Sequence, residues 1–221
     1  MKLTTAAVPD GASDELRRGL NLTLSDERHA DLRSRRLESS TGADDVGAGG
    51  ANDAVATAVP HAVYVAGPAD LRSVDYLDRA RLKAIRYFVM SPSSDLGAGG
   101  VPSAIAEVAV DATTGRASAF SRLNRGRFVE ATWRAMQVAE RLDEAGSAEV
   151  RLFEVPALYF NALWLHRANG PDQLIPLAEE SPGLEPFVPY TEAEVRRGLL
   201  HDSELASDAG GQAPAADDFP V

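Results

Sequence analysis

The sequence predicts an α+β fold: a single antiparallel β-sheet of about five or six strands in a ββαβββ-like order. One long helix packs on one face, and the N- and C-terminal ends are disordered. Three observations carry this expectation. Residues 150–177 hold four of the chain's fourteen aromatics (Phe153, Tyr159, Phe160 and Trp164) and few charges, a run that must be core. Residues 127–145 place Phe128, Ala131, Ala135, Val138 and Leu142 at spacings of 3, 4, 3 and 4, one apolar stripe along a helix. Two short apolar runs, 105–111 and 117–123, flank the polar, glycine-ended stretch Ala112-Thr113-Thr114-Gly115, the pattern of a β-hairpin.

In chain order, residues 1–60 read as mostly unstructured. The stretch 41–60 lacks large apolar side chains and buries too little to offset its ordering entropy. Within this region Ser25–Leu37 has a capping serine, acids in its first turn and arginines in its last, which suggests a short partner-bound helix. The tetrapeptide GAGG occurs at 47–50 and 97–100, each time without the Lys-Ser/Thr pair of a phosphate loop, so both copies read as linkers.

The folded domain is expected over 61–200. It opens with a strand at 62–67, a loosely helical stretch to about Arg81, and a strand at 84–90. The hairpin and the long helix follow, then a strand over 148–155 closed by Pro156. Leu158–Arg167 fits either helix or strand. Its aromatics and the turn Asn169-Gly170-Pro171-Asp172 favour a hairpin with 173–177, with Pro176 at a strand end. Phe187 and Tyr190 pack back onto the domain, and Thr191-Glu192-Ala193-Glu194 is a capping box that opens a helix through about Leu200. An acidic disordered tail, 201–221, carries five acids and no base. From residue 84 onward the ββαβββ order resembles, in topology alone, the roadblock, longin and profilin-like sandwiches, which implies a dimerisation or regulatory binding module.

Composition excludes several classes. At net charge −11 the chain repels polyanions, so neither nucleic acid nor an anionic membrane is an expected partner. The absence of cysteine removes disulfides, thiolate metal sites and thiol nucleophiles. His29, His61, His166 and His201 are scattered without ligand spacing, so no metal and no cofactor is expected. Without a leader pattern or a long apolar run, the expected location is cytoplasmic.

Two groups of residues stand out. Arg116, Arg122, Arg125 and Arg127 lie in a stretch, 112–129, that contains no acid, and they lead into the start of the long helix. Arginines beside free helix N–H groups suit a phosphate or carboxylate. Tyr159, Leu163 and Leu165 fall on the strand face that the long helix would not cover, and so form a candidate interface. Glu107, Asp111 and Glu154 are expected on the solvent side of the sheet. The reading that follows is a protein-binding or scaffold module, self-associating through its sheet or taking another protein. The first alternative is a domain that binds a small anion through the arginines. The second is a small enzyme whose acid/base site would need Glu107, Glu154 and His166 to converge; no catalytic residue is assigned.

Overall fold

Strand β3 (Arg81–Met90) is buried without interruption from Ala84 to Met90, on both of its faces. Continuous burial of that kind requires a layer on each side of the sheet. The computed structural model of the chain describes residues 1–5, 7–23, 57–90, 101–142, 146–178 and 183–210, the side chains of 57–59 and 202–210 excepted. It supplies both layers.

The sheet has nine strands: β1 (Lys2–Thr5), β2 (Thr57–Val65), β3, β4 (Pro102–Val110), β5 (Ala117–Asn124), β6 (Ser147–Val155), β7 (Phe160–His166), β8 (Gln173–Pro176) and β9 (Tyr190–Thr191). Their order is β5-β4-β3-β2-β6-β7-β8-β9. Two antiparallel meanders, β2 to β5 and β6 to β8, meet where β2 lies parallel to β6. β1 also runs parallel to β6, so β1 and β2 share one edge of that strand end to end, against 147–150 and 151–154.

The first face is covered by α3 (Arg127–Arg141), which buries Val129, Thr132, Ala135, Met136 and Ala139. Of the predicted stripe, Ala135 is buried and Phe128, Ala131, Val138 and Leu142 form a half-buried flank, because a helix laid over a wide sheet buries more than one row. The second face has two lids. Over β2 to β5 lies α1, spanning 12–23, with Ala12, Leu16 and Leu20 inward. Over β6 to β8 lie α2 (Tyr76–Arg79), the turn Asp70–Arg72 and α4 (Glu192–Gly210), which bring Leu71, Tyr76, Val195 and Leu199 onto Phe153, Phe160 and Trp164. The capping box forms as expected. The Thr191 N–H and hydroxyl each donate to Glu194 Oε2 at 2.8 Å, and the Glu194 N–H donates back to Thr191 Oγ1 at 3.4 Å.

The expected single antiparallel sheet of five or six strands, covered on one face, is therefore wrong, and the ββαβββ resemblance goes with it. The sheet is mixed, nine-stranded and covered on both faces. Residues 1–23, expected to be unstructured, supply β1 and α1. α4 runs on to Gly210, into the tail expected to be disordered; residues 201–209 hold no Gly or Pro to stop it. The Ser25–Leu37 helix and both GAGG copies lie outside the described residues. The β4–β5 hairpin forms as expected around its glycine-ended turn, with Gly115 at φ 67°, but β4 begins three residues earlier than expected, at Pro102. Of Leu158–Arg167, Phe160–His166 forms strand β7, paired with β8 up to Pro176, while Leu158 ends a 3-10 turn over Pro156–Leu158.

α1 comes very close to the sheet. A Cβ on Gly19 would stand 1.9 Å from Phe120 Cγ and 2.4 Å from Phe120 Cβ. The root of a β5 side chain cannot swing aside as a flexible tip can. Gly19→Ala should destabilise the fold by about 1–3 kcal/mol and lower the thermal unfolding midpoint by several degrees. An unchanged midpoint would show that α1 does not seat on β5 in this way.

Candidate functional site

Three directly paired positions place four polar side chains in one row across β2 to β5: His61↔Arg86, Arg86↔Glu107 and Glu107↔Arg122. The alternation of side chains along each strand puts Arg86 and Glu107 on the face beneath α3, beside Phe88 and Ile105. Arg86 is central. Its Nε donates to Glu107 Oε2 at 2.6 Å and its Nη2 to Glu154 Oε1, on β6, at 2.5 Å. The Phe128 ring lies 5.0 Å from its guanidinium.

The network ends in solvent on both sides. Glu154 accepts from Lys83 Nζ at 3.1 Å, and Glu107 accepts from Arg122 Nη2 at 3.0 Å and Ser121 Oγ at 3.3 Å. The side chains of Lys83 and Arg122 are 43% and 44% exposed, whereas those of Arg86 and Glu107 are 3% and 2% exposed. Lys83, Arg86 and Arg122 thus face Glu107 and Glu154, and one positive charge is left over. Burial works to raise the Glu107 carboxyl, but the charges and hydrogen bonds of Arg86 and Arg122 outweigh it and hold it below the ordinary glutamate value. Both carboxylates are committed to cations.

His61 is fully buried, edge-on to Phe88 at 5.3 Å. Burial, and then the Arg86 charge, lower its pKa to about 4, against the pull of its hydrogen bond to the Arg86 backbone. It therefore sits neutral in the fold.

The predicted arginines are all exposed and follow β5. Arg116 precedes the strand, Arg122 lies within it, and Arg125 and Arg127 come after it. Arg127 is itself the first residue of α3, whose cap, Gly126, sits at φ 81°. The expected interface is corrected. Leu163 and Leu165 are fully buried under α3, and Tyr159 is not on β7 at all. It stands 85% exposed in the turn before that strand, at a left-handed φ of 53°. Glu107 and Glu154, expected in solvent, are buried because both faces of the sheet are covered. Asp111 is exposed in the β4–β5 turn, its Oδ1 accepting from the Thr113 and Thr114 N–H groups.

His166 lies on the opposite face. Its Nδ1 is 3.0 Å from Asp172 Oδ2, which also accepts from Trp164 Nε1 at 2.7 Å. Glu107, Glu154 and His166 do not converge. Arg86 was missed as a site residue, although one signal was present: Arg86 and Glu107 are lone, opposite charges inside the apolar runs AIRYFVM and AIAEVAV.

No family model, no curated protein and no solved structure matches the chain. Among the described residues no helix is long and apolar enough to cross a membrane, and no group of three or more His, Asp or Glu could hold a metal ion.

Two outcomes follow from the network. Arg86→Met strands two buried carboxylates and should cost about 3–5 kcal/mol, whereas Lys83→Ala, at the exposed end, should cost less than about 1 kcal/mol; urea titration compares them. The pH dependence has a defined sign. The unfolded His61 binds a proton below its ordinary value of 6.5 and the folded one only below about 4. Stability should therefore fall as pH drops from 6.5 towards 4, by up to roughly 3 kcal/mol. His61→Asn should flatten that window. Loss through Glu107, whose folded pKa is depressed, belongs below its ordinary 4.5.

Proposed function

We propose that the protein is a protein-binding module that takes an extended segment of a partner by strand addition along β5. The observation that carries this reading is the inequality of the sheet's two ends. One end closes with the two-residue β9, from which α4 starts directly. The other is β5, eight residues long, paired as a strand with β4 alone among the described residues and exposed at Ser118, Ala119, Ser121 and Arg122; the Ala117 N–H at its start donates to the Asp10 carbonyl at 3.3 Å, so the open stretch begins at Ser118. A strand of that length presents a row of backbone donors and acceptors to any extended chain.

The edge is also firmly seated, so that the template is preorganised. Phe120 rests on Gly19, Arg122 is tied to Glu107, and Ser118 Oγ donates to the Ala109 carbonyl at 3.2 Å. Leu163 and Leu165 are buried, which favours the edge over that face as the route for binding through the sheet.

Ser121 falls at the register irregularity between the pairs Glu107↔Arg122 and Val108↔Phe120, outside the regular ladder. Proline there should spare β4–β5 pairing but block addition from outside. The partner captured by the wild-type chain should slow hydrogen exchange over 117–124, and Ser121→Pro should reduce its recovery by about tenfold or more with little change in unfolding midpoint. Protection confined to the opposite end of the sheet, or capture indifferent to the proline, would refute the assignment.

A further inference from the structure

We infer that the segment accepted by β5 is an acidic extended peptide, a conclusion that rests on the strand-addition reading above. Arg116, Arg122, Arg125 and Arg127 bracket and occupy the strand, all exposed, within a stretch from 112 to 129 that holds no acid. Eight residues of strand extend roughly 25 Å. An added strand of equal length therefore passes Arg116 at one end and Arg122, Arg125 and Arg127 towards the other.

The carboxylates of the buried network are fewer than its cations. Glu107 is shared between Arg86 and Arg122, and Glu154 between Arg86 and Lys83, so three cations face two carboxylates in the network. Asp111 is bound into its own turn by Thr113 and Thr114. This positive strip belongs to a chain of net charge −11. Guanidinium forks pair with carboxylates in two-point contacts, and a charge placed along an edge selects its partner more than it adds affinity.

Two other occupants fit less well. A second copy of β5 would bring two sets of arginines onto one seam, against strands that each carry two register irregularities. A nucleic acid would satisfy the arginines, but it has no ladder to match the backbone of β5, and the rest of the chain repels it.

The test uses the full chain and three end-blocked eight-residue peptides, matched to the length of β5, alternating valine with glutamate, glutamine or lysine. A short single-stranded DNA oligomer is the fourth probe, and binding is read by fluorescence anisotropy. The glutamate peptide should bind about tenfold tighter than the glutamine peptide, and weaken as salt rises from about 0.05 M to about 0.5 M. The lysine peptide should not bind. Arg116→Ala with Arg127→Ala should cost the glutamate peptide about tenfold and leave the thermal midpoint in place. Equal binding of the glutamate and glutamine peptides would overturn the acidic preference while leaving strand addition standing. Tighter binding of the DNA would overturn it in favour of a phosphate backbone. If no peptide binds, and the partner captured by the wild-type chain ignores Ser121→Pro, strand addition itself falls.

Discussion

Arg86 sits where the two halves of the sheet meet, and its contacts with Glu107 and Glu154 hold them in register. Glu107 belongs to the first meander and Glu154 to the second. Short turns set the β4–β5, β6–β7 and β7–β8 pairings, but β2 and β6 are parallel and separated in sequence by three strands and two helices. No turn can specify that junction. Hydrophobic contact alone leaves it degenerate, because Val and Ala occur on both strands, Val more than once on each. A guanidinium with two buried carboxylates, one from each half, does not tolerate a slip. Displaced by a strand step, it would leave charges unpaired in a covered layer. The network contributes selection of one arrangement, and burial against α1, α3 and α4 contributes most of the free energy.

The same network shapes the exposed edge. Glu107 is fixed from behind by Arg86, and it in turn holds Arg122, a long side chain that would otherwise sample many rotamers. The charge on Arg122, towards the end of β5, is thereby positioned before any partner arrives. Phe120, seated on Gly19, fixes the other side of the strand. A core interaction and a helix contact thus converge on the element that offers unpaired backbone to solvent.

Much of the fold was legible locally. The 3, 4, 3, 4 spacing located α3, the glycine-ended turn located the β4–β5 hairpin, and Thr191 with Glu194 marked the start of α4. What escaped depends on distance or subtlety. β1 is four residues pairing through its backbone, and α1 shows only Ala12, Leu16 and Leu20, a stripe too thin to stand out beside the low-complexity segment after it. The second layer was nonetheless written into the apolar runs of β3 and β4, whose residues are hydrophobic at both parities, a pattern that alternation from a one-sided sheet does not produce. Among the candidate residues, the arginines of β5 are exposed as the local charge count suggested. Leu163 and Leu165 were misread because the covered face of β7 cannot be assigned without knowing that both faces are covered. The partnership of Arg86 with Glu154 joins positions sixty-eight residues apart, which no local spacing reveals.

The most direct test of the junction is a double-mutant cycle on Arg86 and Glu154, built from Arg86→Met, Glu154→Gln and the double variant, with unfolding free energies from urea titration. If the pair ties the two half-sheets, the single losses should be strongly non-additive, with a coupling energy of about 1–3 kcal/mol. A coupling near zero would mean that β2 and β6 find their register without Arg86, and the account of the junction would be wrong.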